Sequence, residues 1–536
     1  MKTNSLRRGV LFRLLCLLCV VCIALGSCVT RGEAPGETEP DTPTHMLHYT
    51  VNDPDSGTII GETEQQLAAG QGSATVCAVP QPGYVFSGWS DGVQSDIRQN
   101  DMIEKDTKIT ANFTLDVQPL ELPMIYLTTE NEAEITSKTE YLAGTITVSN
   151  TEEEYLLTQE ALEIRGRGNS SWRMEKKSYR IKLNNARNLL GTGQGPAKDW
   201  TLIANYSDQS LLRNYTAYSL SRQLSGIAYT TGTRFVEVFV NGEYEGVYLL
   251  CEQVEVSPFR VNVAKDSSAV DTGYLLELDN RSSEYDENCF LIRGVPYVIQ
   301  SDIYNDEQLE FIRNYMQQTI DAIYGGDETT IRSYVDIDSL VDIYILQEYL
   351  KNIDSGFASF YMYKDTGGKL YFGPAWDFDI AAGNDRNLDE GGYQGIYNQN
   401  QNLNVSTVHP NPILCQMISY GWFEDLVIAR WFEISDIIDG VIQDVPVTAE
   451  ANEGAFARNF LRWKILGTRE QVYHEPNSIL ILNTYEEHVE YLYNWLRDRK
   501  NWLDQYYAQR RVIRETEQAV EQMPASTTDT SVSADS

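Results

Sequence analysis

The amino-acid sequence predicts an α+β protein in which a small all-β domain precedes a larger body of strands and helices. In residues 46–115, short runs of alternating apolar and polar positions are separated by turn residues, as in small β domains. The body, residues 119–511, has strand-like runs first and concentrates its helical patterns in its second half. Segregation of strands and helices along a chain is typical of the α+β class.

The N-terminus has the pattern of a lipoprotein signal peptide. Three arginines precede an apolar run over residues 14–25, which ends in the sequence LGSC at Cys28. Small residues before a cysteine give a peptidase access to the chain beside the thiol that takes the lipid. The run is shorter than the ~20 residues that a bilayer span needs. We therefore predict that residues 1–27 are removed and that a lipid on Cys28 is the protein's only membrane attachment, at the extracytoplasmic face.

Two polar segments flank the predicted domains. Residues 28–45 are rich in Pro, Gly, Glu and Thr, and residues 512–536 form a polar tail. Neither composition can bury enough apolar surface to fold, so we predict a linker and a disordered tail.

Charge and metal-binding residue types exclude two classes of function. The formal net charge is −35, with 77 acidic against 42 basic residues, and a surface of this sign repels nucleic acid. Five histidines and scattered cysteines show no metal-ligand spacing, which argues against a zinc site.

The predicted β domain carries a recognisable motif. Turn signals stand at residues 82–83 and 91–92, and Tyr84, Phe86 and Trp89 are candidates for a small core. The sequences GYVFSGWSDG and ITANF resemble the internalin B-repeat, a bacterial surface repeat. The resemblance implies a spacer or adhesion module, with surface polymers as one possible class of partner.

In the body, periodicity predicts individual elements. Strands are predicted at residues 125–127, 179–183, 234–240, 244–251 and 274–278. Helices are predicted at residues 209–224, 306–324, 338–351 and 486–507.

Residues 352–384 are the most informative segment for chemistry. A loop with Asp354 follows a predicted helix, and a hairpin follows the loop, its second strand ending in Asp377 and Asp379. Strand alternation places these last two on one face, and the hairpin folds them back towards Asp354. Three carboxylates together form a hard-oxygen site suited to Mg²⁺ or Mn²⁺ with phosphate. The 23-residue separation of Asp354 and Asp377 is similar to the kinase layout.

Five motifs in order resemble the CotH kinase family across most of the body. They are RGRGNSSW, KKSYRIKL, DQSLLRNYTA, VEVFVNGEYEGVYLLCEQV and PAWDFDIAAGN. The resemblance implies an atypical protein-kinase-like fold. It also implies ATP-dependent, metal-assisted phosphorylation of protein Ser or Thr, with the chain itself among the candidate acceptors.

The resemblance also assigns roles to the acidic residues. Asp354 corresponds to the catalytic aspartate that orients or deprotonates the acceptor hydroxyl. Asp377 corresponds to the metal ligand, and Asp379 to a second ligand or a supporting residue. Ser359 departs from the pattern, since kinases carry an asparagine for the second metal at this place.

Further residues are expected around the nucleotide. Gly166 and Gly168, followed by Asn169, occupy the place of the glycine-rich loop, where backbone N–H groups approach phosphate. Lys182 resembles the nucleotide-phosphate lysine, and Arg180 shares its face of the strand.

The predicted helix at 209–224 has no glutamate to pair with Lys182. Arg213 in this region matches the family pattern, and Glu252 is a candidate substitute for the missing glutamate.

Two other functions stay open at this stage. One is a non-catalytic surface scaffold or adhesion lipoprotein, in which Gly166 and Gly168 mark a turn and Lys182 is a solvated strand residue. The other is a glycosidase, since paired carboxylates and exposed aromatic residues suit sugars. Asp377 and Asp379 on one strand face fit a metal better than the separated carboxyl pair that glycoside hydrolysis needs.

Overall fold

A computed structural model describes residues 43–81, 84–115, 122–283, 285–399 and 408–521 of the protein. The predicted signal peptide, Cys28, the turn at 82–83 and the tail from residue 522 lie outside the described residues. The chain separates into two compact units, with the boundary near residue 115. No helix among the described segments combines the length and apolar character required to cross a membrane.

The described part of the N-terminal unit contains seven short strands in two sheets. Their bounds are β1 Thr44–Val51, β2 Gly57–Ile60, β3 Glu64–Ala68, β4 Val76–Pro80, β5 Tyr84–Trp89, β6 Ile97–Arg98 and β7 Thr107–Leu115. One sheet has the order β3-β1-β7-β5 and the other β2-β4-β6. The all-β prediction is therefore confirmed for this unit.

Trp89 is at the centre of the small core of this unit. Its ring is 2 % exposed and makes edge contacts at 5.6 Å with Tyr49 and Phe86. Tyr84 and Phe86 are only half-buried, so the predicted core residues contribute unequally. Arg98 covers Trp89 at 5.0 Å and pairs with Asp91 in the turn after β5.

The second unit begins with a closed barrel of seven strands. These are β8 Met124–Thr129, β9 Leu142–Ser149, β10 Leu157–Arg167, β11 Ser178–Arg187, β12 Ala197–Ile203, β13 Thr233–Val240 and β14 Glu243–Glu252. The closed order is β10-β11-β12-β14-β13-β8-β9. Alternate residues of β11, Tyr179, Ile181 and Leu183, join the buried barrel core, whereas Arg180 and Lys182 stay outside it.

A five-stranded sheet follows the barrel. Its strands are β15 Tyr274–Leu278, β16 Cys289–Ile292, β17 Val295–Ile299, β18 Phe360–Lys364 and β19 Leu370–Phe372, in the order β16-β17-β15-β18-β19. The prediction that the last strand continues to Asp379 is wrong, because β19 ends at Phe372. Pro374 has no N–H for a ladder, and Asp377 has a left-handed φ of 67°.

Helices supply the remainder of this unit. Their bounds are α1 Arg213–Gln223, α2 Asp306–Gly325, α3 Glu328–Tyr334, α4 Ile337–Tyr349, α5 Pro412–Ile418, α6 Gly421–Glu433, α7 Ser435–Ala451, α8 Glu453–Arg462, α9 Asn477–Leu480 and α10 Tyr485–Glu521. All four predicted helices are present. The first starts four residues later than predicted, because the Asp208 carboxylate accepts from the backbone N–H groups of Ser210 and Arg213 and holds a turn there.

Helix α4 positions the segment that carries Asp354. Nearly all of its residues are buried, so it runs through the core of the unit, and its end is fixed by the ion pair of Glu348 with Arg499 at 2.8 Å. A one-turn 3₁₀ helix, Ile353–Gly356, follows directly and leads into β18. The fold therefore places Asp354 on a rigid connection between a buried helix and a central strand.

Candidate functional site

A cleft of about 480 Å³ brings together parts of the chain that are distant in sequence. One wall is the connection between β10 and β11. The other consists of the 3₁₀ turn after α4, the end of β15 and the segment after β19. Asp354, Asp377 and Asp379 all line this cleft.

Asp354 is held at the start of its 3₁₀ turn by Asn352. The Asn352 side-chain oxygen accepts from the Asp354 backbone N–H at 3.2 Å, and its amide nitrogen donates to the Asp377 carbonyl at 3.3 Å. One asparagine therefore links both aspartates. Burial, followed by the charges of Asp377 and Asp379, raises the pKa of Asp354 to about 8.

Asp377 and Asp379 project from an irregular segment instead of a strand. The Asp377 N–H donates to the Tyr218 hydroxyl at 3.2 Å, and its carboxylate accepts from the Ser359 hydroxyl at 3.3 Å. The Asp379 carboxylate accepts from the Ser207 hydroxyl at 2.8 Å. Burial and the neighbouring charge of Asp377 raise the pKa of Asp379 to about 7.

The carboxylate cluster fits a hard divalent cation by its chemistry. Burial, and after it the neighbouring negative charges, raise the pKa values of Asp354 and Asp379, and a bound cation would offset both effects. Asn384 donates to the Asp379 carbonyl at 2.7 Å, and its own side-chain oxygen is buried without a described partner, although this residue does not line the cleft. Within the described segments, no group of three or more His, Cys, Asp or Glu already has the spacing of a metal centre.

The opposite wall of the cleft is basic, although the chain is strongly acidic. It contains Lys138, Arg165, Arg167 and Arg180. The Arg167 guanidinium lies 5.2 Å from the Trp376 ring centre and has no hydrogen bond or ion pair with any described residue. Since an arginine carries five N–H donors, this group is available to bind an anion in the cleft.

The other basic side chains of this wall have internal partners. Arg180 pairs with Asp199 at 2.7 Å. Lys138 donates to the Gly168 carbonyl at 2.8 Å and to the Asn169 side chain at 3.1 Å, so it braces the loop that follows β10.

The glycine-containing loop contributes unequally to the cleft. Gly168 has a left-handed φ of 96° and lines the cleft together with Asn169. Gly166 is packed beneath Trp172, whose ring would lie 2.1 Å from an added Cβ atom. The glycine at 166 is thus required by ring packing, and it does not line the cleft.

Lys182, Glu252 and Arg213 do not line the cleft. Lys182 stands two residues, about 7 Å, further along β11 than Arg180, so it lies beyond the cleft. Its side chain is half exposed and pairs with Glu163 at 3.8 Å. Glu252 is buried and accepts from the Gly232 N–H at 2.9 Å.

Arg213 does not line the cleft, but it holds the chain next to it. It pairs with buried Asp208 at 2.6 Å and donates to the carbonyls of Ala381 and Ala382, immediately after Asp379. It therefore fixes the chain that carries this carboxylate.

Sequence reasoning missed Glu277 and Arg281, which also line the cleft. The Glu277 carboxylate accepts from the Ser359 N–H at 3.1 Å and from Gln300 at 2.8 Å. Burial raises the pKa of Glu277 to about 7. A signal was present, since this glutamate interrupts the apolar run of β15, where a charge needs a partner or a function.

Comparison with known proteins gives two family matches. A family model described as CotH kinase protein matches residues 164–503, which is more than half of the chain. A model described as divergent InlB B-repeat domain matches residues 47–117. No curated protein matches the chain. Both resemblances drawn from the sequence motifs are confirmed, and a repeat of this kind is consistent with a surface-associated protein.

Proposed function

Because this chain belongs to the CotH kinase family, we propose that its cleft binds ATP with Mg²⁺ or Mn²⁺ and phosphorylates a protein Ser or Thr. One observation carries the proposal. A cluster of three aspartates faces a basic wall across a single cleft, and Arg167 in this wall has no polar partner among the described residues. Phosphoryl transfer needs this combination, since it depends on positioning and on balancing phosphate charge.

The acidic wall would hold the metal. Asp377 and Asp379, which both line the cleft, are the proposed ligands. When bound, the metal would neutralise charge on the phosphates and orient them for transfer. Ser359 holds the Asp377 carboxylate at the place where kinases carry a second-metal asparagine, which favours a supporting role for this serine.

The basic wall would hold the phosphates. Arg167 is the proposed anchor, since a guanidinium can make paired hydrogen bonds to phosphate oxygens. Trp376 supports the face of this guanidinium and immediately precedes Asp377 in the chain. The stacked pair would therefore keep the phosphate anchor in register with the metal ligands.

Asp354 is the proposed base for the acceptor hydroxyl. The acceptor oxygen forms a bond to the γ-phosphorus as the bond from this phosphorus to the bridging oxygen of ADP breaks. The hydroxyl proton passes to Asp354, whose pKa of about 8 in the free protein suits proton acceptance near neutral pH once cations lower it.

Calorimetry with ATP and either metal, followed by ³²P transfer, tests the proposal. Asp377→Asn is the sharpest variant, because asparagine tolerates the left-handed backbone of this position. We expect metal-dependent ATP binding to weaken and transfer to be lost. Transfer at the normal rate by Asp377→Asn would refute the assignment.

A non-catalytic scaffold is the second candidate. Ser359 in place of the second-metal asparagine favours it, since the cleft then lacks one expected ligand. ATP binding without transfer to the chain itself or to Ser/Thr-rich proteins would identify a nucleotide-binding scaffold. Absence of ATP binding by the folded protein would leave a surface protein with an unused cleft.

We further propose that the protein is displayed outside the cell. The repeat match and the lipoprotein motif at Cys28 support a chain in which a lipid provides attachment and the N-terminal unit acts as spacer or adhesion module. The acceptor would then be another exported protein.

A further inference from the structure

A second concave surface, formed by α7, α8 and α10, shares no lining residue with the cleft. This surface, called here the acidic groove, has a volume of about 390 Å³. Its floor is apolar and aromatic and consists of Pro446, Ala449, Tyr485, Val489 and Tyr493. Concave apolar surfaces with a polar rim are typical of binding sites.

Four glutamates form the rim of the acidic groove. They are Glu450, Glu453, Glu486 and Glu490, and all four are exposed. None of their carboxylates has a hydrogen bond or ion pair with a cation of the described chain. Most arginines of this unit are by contrast paired with carboxylates, as Arg458 is with Glu237 at 2.8 Å. The rim therefore presents uncompensated negative charge around an apolar floor.

We infer that the acidic groove binds a Lys/Arg-rich segment that carries apolar anchor side chains, and that this segment belongs to the protein phosphorylated in the cleft. Charge complementarity selects this occupant, because cations would pair with the four rim carboxylates while apolar side chains cover the floor. The last clause of the inference rests on the proposed function.

Two other occupants fit the groove less well. A second copy of the chain carries a net charge of −35 and would be repelled. The chain's own tail, residues 522–536, contains no lysine or arginine and cannot pair with the rim. A basic partner bound in the acidic groove would, by contrast, have a raised effective concentration at the cleft.

The test measures binding of a short synthetic peptide, rich in lysine with two spaced leucines, to the full chain without nucleotide or metal. Glu486→Gln/Glu490→Gln removes two of the four rim charges, both of which lie on α10. We expect this variant to weaken binding about fivefold, since two ion pairs are lost and exposed ion pairs each contribute little. Replacing both leucines of the peptide by serine should also weaken binding.

A matched control separates the groove from the general acidity of the chain. Glu307 and Glu310 stand in the first turns of α2, as Glu486 and Glu490 do in α10, and both are exposed. Glu307→Gln/Glu310→Gln should leave peptide binding unchanged. Equal weakening by both double variants would overturn the inference, as would a change in oligomeric state confined to the groove variant.

A transfer experiment separates this inference from the proposed function. A serine peptide is offered with and without the basic apolar segment attached. The segment should lower KM for the wild type about fivefold and have little effect for the groove variant. Transfer that ignores the segment would refute the docking role and leave the kinase proposal standing. Groove-dependent peptide binding without any transfer would refute the kinase proposal and leave the groove as a binding site.

Discussion

At the scale of single residues, Arg167 is the clearest candidate among the cations of the cleft for binding a ligand. Its guanidinium is stacked on Trp376 and has no described polar partner, whereas Arg180 is already paired with Asp199. Removing the Arg167 charge by Arg167→Gln should raise KM for ATP by roughly 10- to 100-fold, because charge-assisted hydrogen bonds contribute about 1.5–3 kcal/mol. The KM for ATP of Arg167→Lys should lie between those of the wild type and Arg167→Gln, because lysine keeps the charge but lacks the planar guanidinium.

Arg187→Gln is the control for the Arg167 prediction. Arg187 is on β11, pairs with Glu160 at 3.0 Å and does not line the cleft. Steady-state kinetics should show an unchanged KM for this variant. An unchanged KM for Arg167→Gln itself would contradict its assignment as phosphate anchor.

Asp354 gives a prediction in which function and stability move in opposite directions. Its folded pKa of about 8 lies above the ordinary value of about 3.9, so the unfolded chain loses this proton first as pH rises. The free energy of unfolding therefore falls between about pH 4 and pH 8. Asp354→Asn should raise the stability of the metal-free protein at pH 8 by on the order of 1–3 kcal/mol and abolish phosphoryl transfer.

Denaturant unfolding at pH 5 and pH 8 measures the change in the free energy of unfolding. The gain from Asp354→Asn should be small at pH 5 and largest at pH 8. Asp321→Asn, which alters an exposed carboxylate paired with Arg293, should give no gain at either pH. A loss of stability for Asp354→Asn at pH 8 would show that the carboxylate cluster is not under electrostatic strain.

At the scale of elements, the segment from Asp208 to Arg213 links the start of α1 to the chain after Asp379. The Arg213 and Asp208 side chains are 2 % and 0 % exposed, so this ion pair is fully buried. Arg213→Met leaves the Asp208 charge buried without its partner. We expect a loss of about 3–5 kcal/mol in the free energy of unfolding, measured by chemical denaturation.

The exposed pair of Arg187 and Glu160 provides the comparison for this element. Arg187 is 51 % exposed, so Arg187→Met should cost less than about 1 kcal/mol. Similar losses for both methionine variants would mean that burial does not set the importance of the Arg213 pair.

Local sequence patterns predicted the elements better than their assembly. The prediction that Arg180 and Lys182 share one face of β11 is confirmed, with Ile181 in the buried core on the other face, because side-chain direction is a local property of a strand. Closure of the seven-stranded barrel depends on pairings such as β8 with β13, between residues more than 100 positions apart, which no short-range period encodes.

The same division applies to the site. Asp354 and Asp377 could be predicted because a single hairpin separates them. Lys138 could not be predicted, because it lies in a loop outside every motif. Only the tertiary fold brings it to the cleft, where it donates to the Asn169 side chain. Alternation also could not show that Lys182 stands beyond the cleft while Arg180 lines it, since both share one strand face.

At the scale of the whole molecule, the proposed anchor at Cys28 precedes a β-repeat and a kinase-family unit along the chain, so location and chemistry should be separable. Cys28→Ser should remove the lipid and release the protein from the membrane fraction, since a seryl oxygen cannot take the thioether-linked lipid. Cys22→Ser changes another cysteine, within the predicted signal peptide, and should leave the protein in that fraction. Mass spectrometry and cell fractionation report both outcomes.

Because Cys28 is distant in sequence from the cleft residues, ATP binding by the released protein should equal that of the anchored form. Release of both variants would refute Cys28 as the attachment point, and loss of ATP binding on release would show that the anchor and the cleft act together.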